Sequence, residues 1–385
     1  MQKSFFKNLK LGIVGGGQLG RMLIQAAVDY NVHIEVLDPS PEAPCRWLAH
    51  RFHQGSLTDY DAVMAFGKDL DVITIEIENV NTDALADLQK QGKRVYPDPQ
   101  TIRLIQDKRS QKNFFQEKNI PTSPFVLVEH QKEVIQQFGE GKFALPAVHK
   151  LAKAGYDGRG VNVIRTEEEL ADSFDAPGLV EDFIPFEKEI AVIAARRPSG
   201  EVTTFPPVEM AFHPTANLVE FLFAPADLTA EQVAEVHRLG VKVVEELKYV
   251  GVLAVELFLT KEGKLLVNEL APRPHNSGHH TIRANHTSQF EQHLRAILDL
   301  PLGDTAALCP AAMVNLLGAP GQTGSATYAG LDEALAIPGV YPHIYGKAET
   351  RPFRKMGHTL IIDTDVEALK AKAIRVKDLL SAVSE

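Results

Sequence analysis

Two glutamates on neighbouring strands of a predicted hairpin are the residues of this sequence best suited to chemistry. In the stretch VELFLTKEGKLLVNEL, two strand-like runs flank KEGK, where Gly263 suits a tight turn. If Glu262 and Gly263 form a two-residue loop, Glu256 lies directly opposite Glu269, with Cβ atoms roughly 4.5–5.5 Å apart. Two like charges at that spacing destabilise the hairpin unless a cation lies between them. Oxygen ligands favour Mg²⁺, with Mn²⁺ as a related choice, and Asn268 can add an amide oxygen.

The alternative interpretation of this hairpin is a solvated turn with two exposed acids. The flanking side chains favour a buried hairpin, because they are apolar on both strands: Val255, Leu257, Phe258, Leu266, Val267 and Leu270. The pairing depends on register, since a shift of one residue would turn one glutamate to the opposite face. We therefore predict a metal-binding pair whose geometry depends on the register of the two strands.

A glycine-rich loop in the middle of the chain predicts a phosphate site. The stretch HKLAKAGYDGRGVNVI places Gly155, Gly158 and Gly160 between two apolar strands, with Lys150 ending the first strand and Arg159 in the loop. Backbone N–H groups of such a loop can approach phosphate oxygens closely. The loop is not of the Walker A type, because no G-K-[ST] opens a helix. A flexible hairpin loop without a ligand is the alternative.

The stretch GIVGGGQLGR near the start resembles a dinucleotide-binding fingerprint. Gly15, Gly17 and Gly20 fit G-x-G-x-x-G, and Asp38 follows at a suitable distance for a ribose hydroxyl. The alternation of strands and helices ends near Pro97, however, which leaves room for one mononucleotide-type half. We therefore predict a strand-to-helix turn whose N–H groups face a cleft. These groups bind either a substrate or no ligand.

Composition limits the class of protein. The chain has 385 residues, 44% of them hydrophobic, and a net charge of -10, which argues against nucleic acid or an anionic membrane as the main partner. Cys45 and Cys309 have no metal-type spacing, so a reducing compartment without disulfides is expected. The N-terminus lacks the apolar core of a signal peptide, and no apolar run is long enough to span a membrane. A cytoplasmic protein is the expectation.

The elements that position these residues are those of an α/β protein. Strands alternate with helices over the first hundred residues, which predicts a parallel sheet. A helical stretch from Thr101 to Lys118 follows, and strands and hairpins dominate from Pro124 onward. We predict four parts: a Rossmann-like domain (1–105), a helical linker (106–122), a small domain with the glycine loop (123–195), and a large domain with the acidic pair (196–385).

The order of these motifs resembles the ATP-grasp fold with an N-terminal pre-ATP-grasp domain. Within that fold, the chain resembles the 5-(carboxyamino)imidazole ribonucleotide synthases of purine synthesis. The matching stretches are GGGQLGRM, AGYDGRG, NELAPRPHNSGHHT and YGKAETRPFRKMGH, which span residues 12–358 in the family's order. The resemblance implies that ATP and bicarbonate carboxylate 5-aminoimidazole ribonucleotide through carboxyphosphate, giving ADP and phosphate, in a homodimer.

The resemblance also implies roles for individual residues. The Mg²⁺ ligands would be Glu256 and Glu269, and the nucleotide would lie between the middle and last domains. Its implied contacts are Lys108 (with Arg109 as the alternative), Lys150, Gly155, Tyr156, Asp157, Gly158, Arg159, Gly160, Glu181, Asp182, Phe183, Ile184, Glu189, His213, Asn268 and Glu269. The implied catalytic residues are Arg273, His275, Asn276 and Lys347. The ribonucleotide would contact Gln18, Leu19, Glu76, Tyr156, Asp157, Arg159, Lys347, Arg354 and Lys355.

Three alternatives stay open at this point. One is an ATP-grasp ligase that uses formate, such as a formate-dependent glycinamide ribonucleotide transformylase, which NELAPRPHNSGH disfavours. Another is an oxidoreductase built on the N-terminal fingerprint. The third is a zinc site of His275, His279 and His280, whose spacing requires a helix that Pro272 and Pro274 disfavour.

Overall fold

The computed structural model describes residues 8–153, 160–212 and 219–385. Within these ranges the chain forms four β-sheets, and helices lie between and against them. None of the helices in the described ranges has both the length and the apolar character needed to cross a bilayer.

A parallel five-stranded sheet occupies the N-terminal part, as predicted. Its strands are β1 (Lys10–Val14), β2 (His33–Asp38), β3 (Arg51–Gln54), β4 (Val72–Ile75) and β5 (Arg94–Val95), in the order β3-β2-β1-β4-β5. The connecting helices are α1 (Gln18–Val28), α2 (Tyr60–Gly67) and α3 (Thr82–Lys90). Sequence reasoning missed β3, because this short edge strand is polar and lacks an apolar run.

The single helix expected from Thr101 to Lys118 is two helices, α4 (Pro99–Gln106) and α5 (Lys108–Glu117). Asp107 separates them with an extended backbone, and its carboxylate accepts hydrogen bonds from the N–H groups of Arg109 (2.9 Å) and Ser110 (3.4 Å). This side chain caps the new helix. The break therefore places Lys108 at the first position of α5.

A four-stranded antiparallel sheet follows. It contains β6 (Phe125–Val128), β7 (Ala147–Leu151), β8 (Val161–Ile164) and β9 (Gly178–Asp182), in the order β6-β9-β7-β8, with α6 (Gln131–Gly139) and a 3₁₀ helix (Glu168–Asp172) beside it. Gly160, with φ of +71°, enters β8 from the glycine-rich loop.

A nine-stranded antiparallel sheet forms the largest part of the described chain. Eight strands run in the order β15-β14-β10-β12-β13-β16-β20-β18, and β11 pairs with β10. The bounds are β10 (Phe186–Arg196), β11 (Val202–Thr204), β12 (Val208–Phe212), β13 (Val219–Ala224), β14 (Gly251–Thr260), β15 (Leu265–Ala271), β16 (Ala311–Leu317), β18 (Val340–Ile344) and β20 (Lys355–Ile362). A small sheet, β19-β17-β21, consists of β17 (Gly324–Ala329), β19 (Glu349–Thr350) and β21 (Ser381–Ser384).

Helices cover the sheets and supply the cores. The later ones are α7 (Ala230–Glu246), α8 (Thr281–Ala284), α9 (Gln289–Ile297), α10 (Leu331–Leu335) and α11 (Val366–Leu379), with a 3₁₀ helix at Asn276–Gly278. Helix α7 begins with a full capping box formed by Thr229 and Gln232. Helices α1 and α9 share a core on one face of the parallel sheet, which brings the last third of the chain against the N-terminal domain.

The change from the small to the large sheet comes earlier than the expected boundary at 195. Strand β9 ends at Asp182 and belongs to the four-stranded sheet, whereas β10 begins at Phe186 and belongs to the nine-stranded one. The linker between these strands is therefore residues 183–185. The C-terminal strands β16, β20 and β18 extend the same large sheet.

Candidate active site

The predicted pairing of Glu256 with Glu269 is confirmed on strands β14 and β15. The predicted two-residue loop is wrong, because the turn holds three residues. The N–H of Thr260 donates to the carbonyl oxygen of Lys264 (2.8 Å), and Gly263 has φ of +79°. This is the three-residue turn with a left-handed glycine that antiparallel hairpins commonly use.

A β-bulge restores the pairing that the longer turn would have shifted. From the turn upward, Leu257 faces Val267, so a regular ladder would place Asn268 opposite Glu256. The register shifts between Glu256 and Leu257, and Asn268 is the extra residue on β15. Asn268 and Glu269 consequently contact neighbouring lysines on the same side of the hairpin.

Lysines from two elements meet this hairpin. The Nζ of Lys108, at the start of α5, donates to Glu269 Oε2 (2.5 Å). The Nζ of Lys150, on β7, donates to Asn268 Oδ1 (3.0 Å) and pairs with Glu181 Oε2 (2.8 Å). The backbone N–H of Lys108 also donates to the carbonyl oxygen of Ala152, just before the glycine-rich loop (2.8 Å). The acidic pair, the lysines and the base of that loop therefore form one site.

Sequence reasoning missed Lys112, which is buried in the same network. Its Nζ pairs with Glu181 Oε1 (2.8 Å) and donates to the hydroxyls of Thr122 and Ser123. Burial lowers the pKa of Lys112 to about 8. The signal was its spacing of four residues from Lys108, which puts both on one helix face once the start of α5 is known.

The electrostatics of the acidic pair suit a divalent cation. Lys108 holds the pKa of Glu269 well below its usual range, whereas burial and the adjacent Glu269 raise the pKa of Glu256. Burial, followed by Glu269, raises the pKa of Glu189 to about 7. A divalent cation between Glu256 and Glu269 would offset this repulsion, and the donors, two carboxylates and the Asn268 amide, are all oxygen. The residues present fit Mg²⁺ or Mn²⁺.

The resemblance to the ATP-grasp fold further implies that Glu181 to Ile184, at the end of β9 and in the linker to β10, contact adenine. The carboxylate of Glu181 is held by Lys112 and Lys150, so it is part of the lysine network. Asp182 ends β9, and Phe183 and Ile184 lie in the linker, where the Phe183 ring is exposed. The adenine contacts of these residues stay a prediction.

The segment after β15 lies over the acidic pair. The imidazole Nε2 of His275 is 3.5 Å from Glu256 Oε1, and Asn276 begins the 3₁₀ helix. Arg273 Nη2 pairs with Glu78 Oε1 (2.7 Å), which lies just beyond β4. Sequence reasoning missed Glu78, whose position past the carboxyl end of a parallel strand was the available signal. Residues 273–276 therefore connect the acidic pair to the N-terminal sheet.

The N-terminal glycine loop already holds a carboxylate from its own chain. Glu76 accepts hydrogen bonds from the N–H groups of Gly17 (2.9 Å), Leu19 (3.1 Å) and Gly20 (3.0 Å) at the start of α1. Asp38 Oδ2 accepts from the Gly16 N–H (2.7 Å). A dinucleotide would need these same donors and a free Asp38, so the oxidoreductase alternative loses its basis. The expected contacts of Gln18, Leu19 and Glu76 with a substrate stay a prediction.

A basic cluster lies at the start of β20 and in the segment just before it. Lys347 Nζ donates to the carbonyl oxygen of Lys355 (2.7 Å), and Arg354 Nη1 donates to that of Glu349 (2.6 Å). Burial, followed by the Arg351 charge, lowers the pKa of Arg354. The positive charge of Lys355 opposes the rise in the pKa of Glu256, so this member of the cluster acts on the acidic pair.

Other predicted residues lie outside the described ranges or outside the site. Gly155, Tyr156, Asp157, Gly158, Arg159 and His213 fall in the undescribed segments. The zinc alternative has no support, because no group of three or more His, Cys, Asp or Glu side chains in the described ranges could hold a metal ion. His279 and His280 are buried, and their Nδ1 atoms contact the Gln289 amide (3.2 Å) and the Ser277 carbonyl oxygen (3.1 Å).

Comparison with known proteins supports a single family. The chain matches a ribonucleotide synthetase preATP-grasp domain over residues 8–106, an ATP-grasp domain over 113–290, and a phosphoribosylaminoimidazole carboxylase C-terminal domain over 311–372. The N5-carboxyaminoimidazole ribonucleotide synthase of Synechococcus elongatus is 39% identical, over 90% of this chain and 88% of that protein. This chain belongs to the N5-carboxyaminoimidazole ribonucleotide synthase family.

Some members of the wider group are longer. The chloroplastic phosphoribosylaminoimidazole carboxylase of Vigna aconitifolia is 40% identical over 94% of this chain, which spans 65% of that protein's length. Among solved structures, the N5-carboxyaminoimidazole ribonucleotide synthetase of Thermotoga maritima superposes with a TM-score of 0.90 at 41% identity, covering 98% of this chain and all of that one. An Aspergillus clavatus synthase in complex with ADP and 5-aminoimidazole ribonucleotide has a TM-score of 0.87 at 30% identity, covering 96% and 98%.

Kinetics can decide whether Lys108 or Arg109 contacts the nucleotide. Lys108 contacts Glu269 inside the site, whereas Arg109 pairs with the exposed Glu129 (2.8 Å). We expect Lys108→Met to lower kcat/KM for ATP about 100-fold, because a partly buried cation is lost. Arg109→Met should change kcat/KM for ATP less than about threefold, since an exposed ion pair contributes little free energy. Steady-state kinetics with varied ATP would measure both, and a larger effect at Arg109 would contradict the assignment.

Proposed function

We propose that the chain is an ATP-dependent carbon–nitrogen ligase that joins bicarbonate to the amine of 5-aminoimidazole ribonucleotide. The products are 5-(carboxyamino)imidazole ribonucleotide, ADP and phosphate, in de novo purine synthesis. The observation that carries this proposal is the setting of the Glu256–Glu269 pair. Lys108 contacts Glu269 and Lys150 contacts Asn268, while His275 Nε2 lies 3.5 Å from Glu256 Oε1 and the charge of Lys355 opposes the rise in the pKa of Glu256. Two anionic substrates can therefore meet at one metal-binding pair.

The nucleotide side of the site binds and neutralises phosphates. Lys108 and Lys150 carry the cationic groups. By the sequence motif, further phosphate contacts come from Gly155, Tyr156, Asp157, Gly158, Arg159 and Gly160. Glu256 and Glu269, with Asn268, would hold Mg²⁺ or Mn²⁺, which neutralises phosphate charge when bound. The adenine lies against Glu181 to Ile184, at the end of β9 and the start of the linker. Glu189 binds the ribose, and His213 is a further contact.

The bicarbonate side activates a poor electrophile. Transfer of the γ-phosphoryl group to bicarbonate gives carboxyphosphate and ADP, and attack by the exocyclic amine then releases phosphate. Such a transfer needs positioning and charge neutralisation, and no side-chain nucleophile. Arg273 can bind the planar anion through two parallel N–H groups. His275 and Asn276 orient it beside the metal pair.

The ribonucleotide binds between the N-terminal sheet and the basic cluster. Lys347, Arg354 and Lys355 bind its phosphate, and Gln18, Leu19 and Glu76 form the opposite wall. Tyr156, Asp157 and Arg159 reach it from the glycine-rich loop. We further propose that the protein is a homodimer and that it is located in the cytoplasm. The free cysteines Cys45 and Cys309 fit the reducing conditions of that compartment.

Phosphate release tests this function. We expect release only when ATP, Mg²⁺, bicarbonate and 5-aminoimidazole ribonucleotide are all present, because the γ-phosphoryl group needs both its acceptor and the final nucleophile in place. Omitting each component in turn is the control. Equal rates with formate and glycinamide ribonucleotide would instead indicate the formate-using ligase, and tight NADH binding without ATPase activity would indicate an oxidoreductase.

A further inference from the structure

We propose that Gln289 is a positioning residue that holds the segment from Arg273 to Asn276 over the acidic pair. Gln289 is fully buried at the start of α9, and no role in the reaction follows from the sequence motifs. This inference rests on the proposed function only in its kinetic test, which measures the carboxylation reaction. It concerns how the site is kept in shape and adds no contact to substrate.

The side-chain amide of Gln289 binds both peptide groups of His275. The His275 N–H donates to Gln289 Oε1 (2.9 Å), and Gln289 Nε2 donates to the His275 carbonyl oxygen (2.7 Å). Nε2 also lies 3.2 Å from Nδ1 of His279. The amide thus forms with His275 the pair of hydrogen bonds that a neighbouring strand would otherwise form.

This arrangement is needed because the sheet ends before the segment begins. Strand β15 stops at Ala271, so His275 lies beyond the ladder that orders Glu269. From this position, the His275 ring reaches Glu256 Oε1 (3.5 Å) through Nε2 and the Ser277 hydroxyl (2.9 Å) through Nδ1. A change in the His275 peptide groups would therefore move the ring relative to the metal pair.

The packing around Gln289 fixes the amide in one orientation. The backbone N–H of Gln289 donates to Thr281 Oγ1 (2.8 Å), which holds the start of α9 in place. A Cβ built on Gly278 would lie 2.3 Å from Gln289 Oε1, so a larger residue at 278 has no room. A buried amide that is held on all sides loses little further freedom when the substrates bind.

Gln292 provides a matched control on the same helix. It is also fully buried, and it holds Gly303 by the same two hydrogen bonds, from the Gly303 N–H to Oε1 (2.8 Å) and from Nε2 to the Gly303 carbonyl oxygen (3.0 Å). Gly303 lies in the loop after α9, which contains none of the residues assigned to the reaction. Substitution of Gln292 therefore shows the effect of losing a buried amide alone, without a change in the position of the segment from Arg273 to Asn276.

The test compares Gln289→Met with Gln292→Met, which both remove an amide and keep the length of the side chain. We expect a similar fall in Tm for the two variants. Gln289→Met should lower kcat about 10- to 100-fold, with KM for ATP unchanged, whereas Gln292→Met should stay within about twofold of the parent in kcat. In Gln289→Glu, a carboxyl oxygen can still accept from the His275 N–H, and the protonated carboxyl can also donate to the His275 carbonyl oxygen. This variant should therefore have a higher kcat than Gln289→Met.

A second measurement does not depend on the reaction. Hydrogen–deuterium exchange of the peptide that contains residues 273–278 should speed up in Gln289→Met and stay unchanged in Gln292→Met. Unchanged exchange there, or equal loss of kcat in both variants, would overturn the proposal. Faster exchange in a chain that does not carboxylate the ribonucleotide would support the positioning role and contradict the proposed function.

Discussion

Glu269→Gln is expected to lower magnesium-dependent turnover roughly a thousandfold while the fold is retained. The substitution keeps the shape of the side chain and removes its charge. Glu269 is the carboxylate that contacts Lys108 and faces Glu256, so its loss leaves one carboxylate to hold the cation. The β-bulge at Asn268 and the packing of the hairpin do not depend on the charge. Phosphate release with varied Mg²⁺ measures turnover, and circular dichroism measures the fold.

Glu262→Gln is the matched control for this variant. Glu262 lies in the exposed turn of the same hairpin, so the same chemical change there should leave turnover within about twofold. Binding of Mn²⁺, followed by electron paramagnetic resonance, should weaken in Glu269→Gln and stay unchanged in Glu262→Gln. Parental turnover in Glu269→Gln would refute the assignment of Glu269 as a metal ligand.

Acidification from about pH 7 to about pH 5 is expected to lower the free energy of unfolding steeply. Five histidines are buried in the described part of the chain, namely His149, His279, His280, His293 and His358. Burial lowers the pKa of His149 and His280 to about 4 and that of His293 to about 3, and it lowers the pKa of His279 and His358 well below the usual value. The folded protein therefore keeps these rings neutral at a pH where the unfolded chain protonates them.

The direction of the effect follows from proton binding. Below the unfolded pKa of about 6.5, the unfolded chain takes up protons that the folded chain cannot, so stability falls as the pH falls. Each such histidine contributes about 2 kcal/mol to the loss at pH 5. Glu189 and Glu256 act in the opposite direction, because their raised pKa values let the folded chain take up protons that the unfolded chain does not, and they offset part of this loss. Urea unfolding at several pH values between 5 and 7.5 measures the change.

His149→Leu is the control for the acid effect. Within the described part of the chain, neither ring nitrogen of His149 has a hydrogen-bond partner, and the ring lies 5.3 Å from that of Phe174. An apolar residue should therefore be tolerated at neutral pH and should reduce the pH dependence of stability. If the variant loses stability with pH as steeply as the parent, the buried imidazole of His149 is not a source of the effect.

The acidic pair shows what sequence spacing can and cannot predict. The pairing of Glu256 with Glu269 followed from a two-residue loop, yet the turn has three residues, and the bulge at Asn268 corrects the register. A turn and a bulge each shift the pairing by one residue, and neither has a distinct pattern of side chains here. The existence of the hairpin was predictable, and its exact ladder was not.

Contacts between distant parts of the chain explain the remaining differences between the predictions from sequence and the structure. The amphipathic pattern continues through Asp107, so the helix break that positions Lys108 and Lys112 gave no periodic signal. Glu76 binds the glycine loop 56 to 59 residues before it in the chain, and Lys112 pairs with Glu181 across two domains. Pattern reasoning predicts local elements, whereas such partners are fixed only when tertiary packing brings them together.

The continuity of the large sheet limits how this chain can be divided. Strand β16 pairs with β13, and β20 and β18 follow it in the same sheet. A protein truncated before Ala311 would leave β13 as a bare edge, open to pairing with another copy and to aggregation. Lys355, at the start of β20, would be lost with the same cut. The C-terminal part is therefore not a detachable module, and fusions or exchanges between relatives should place their junctions outside this sheet.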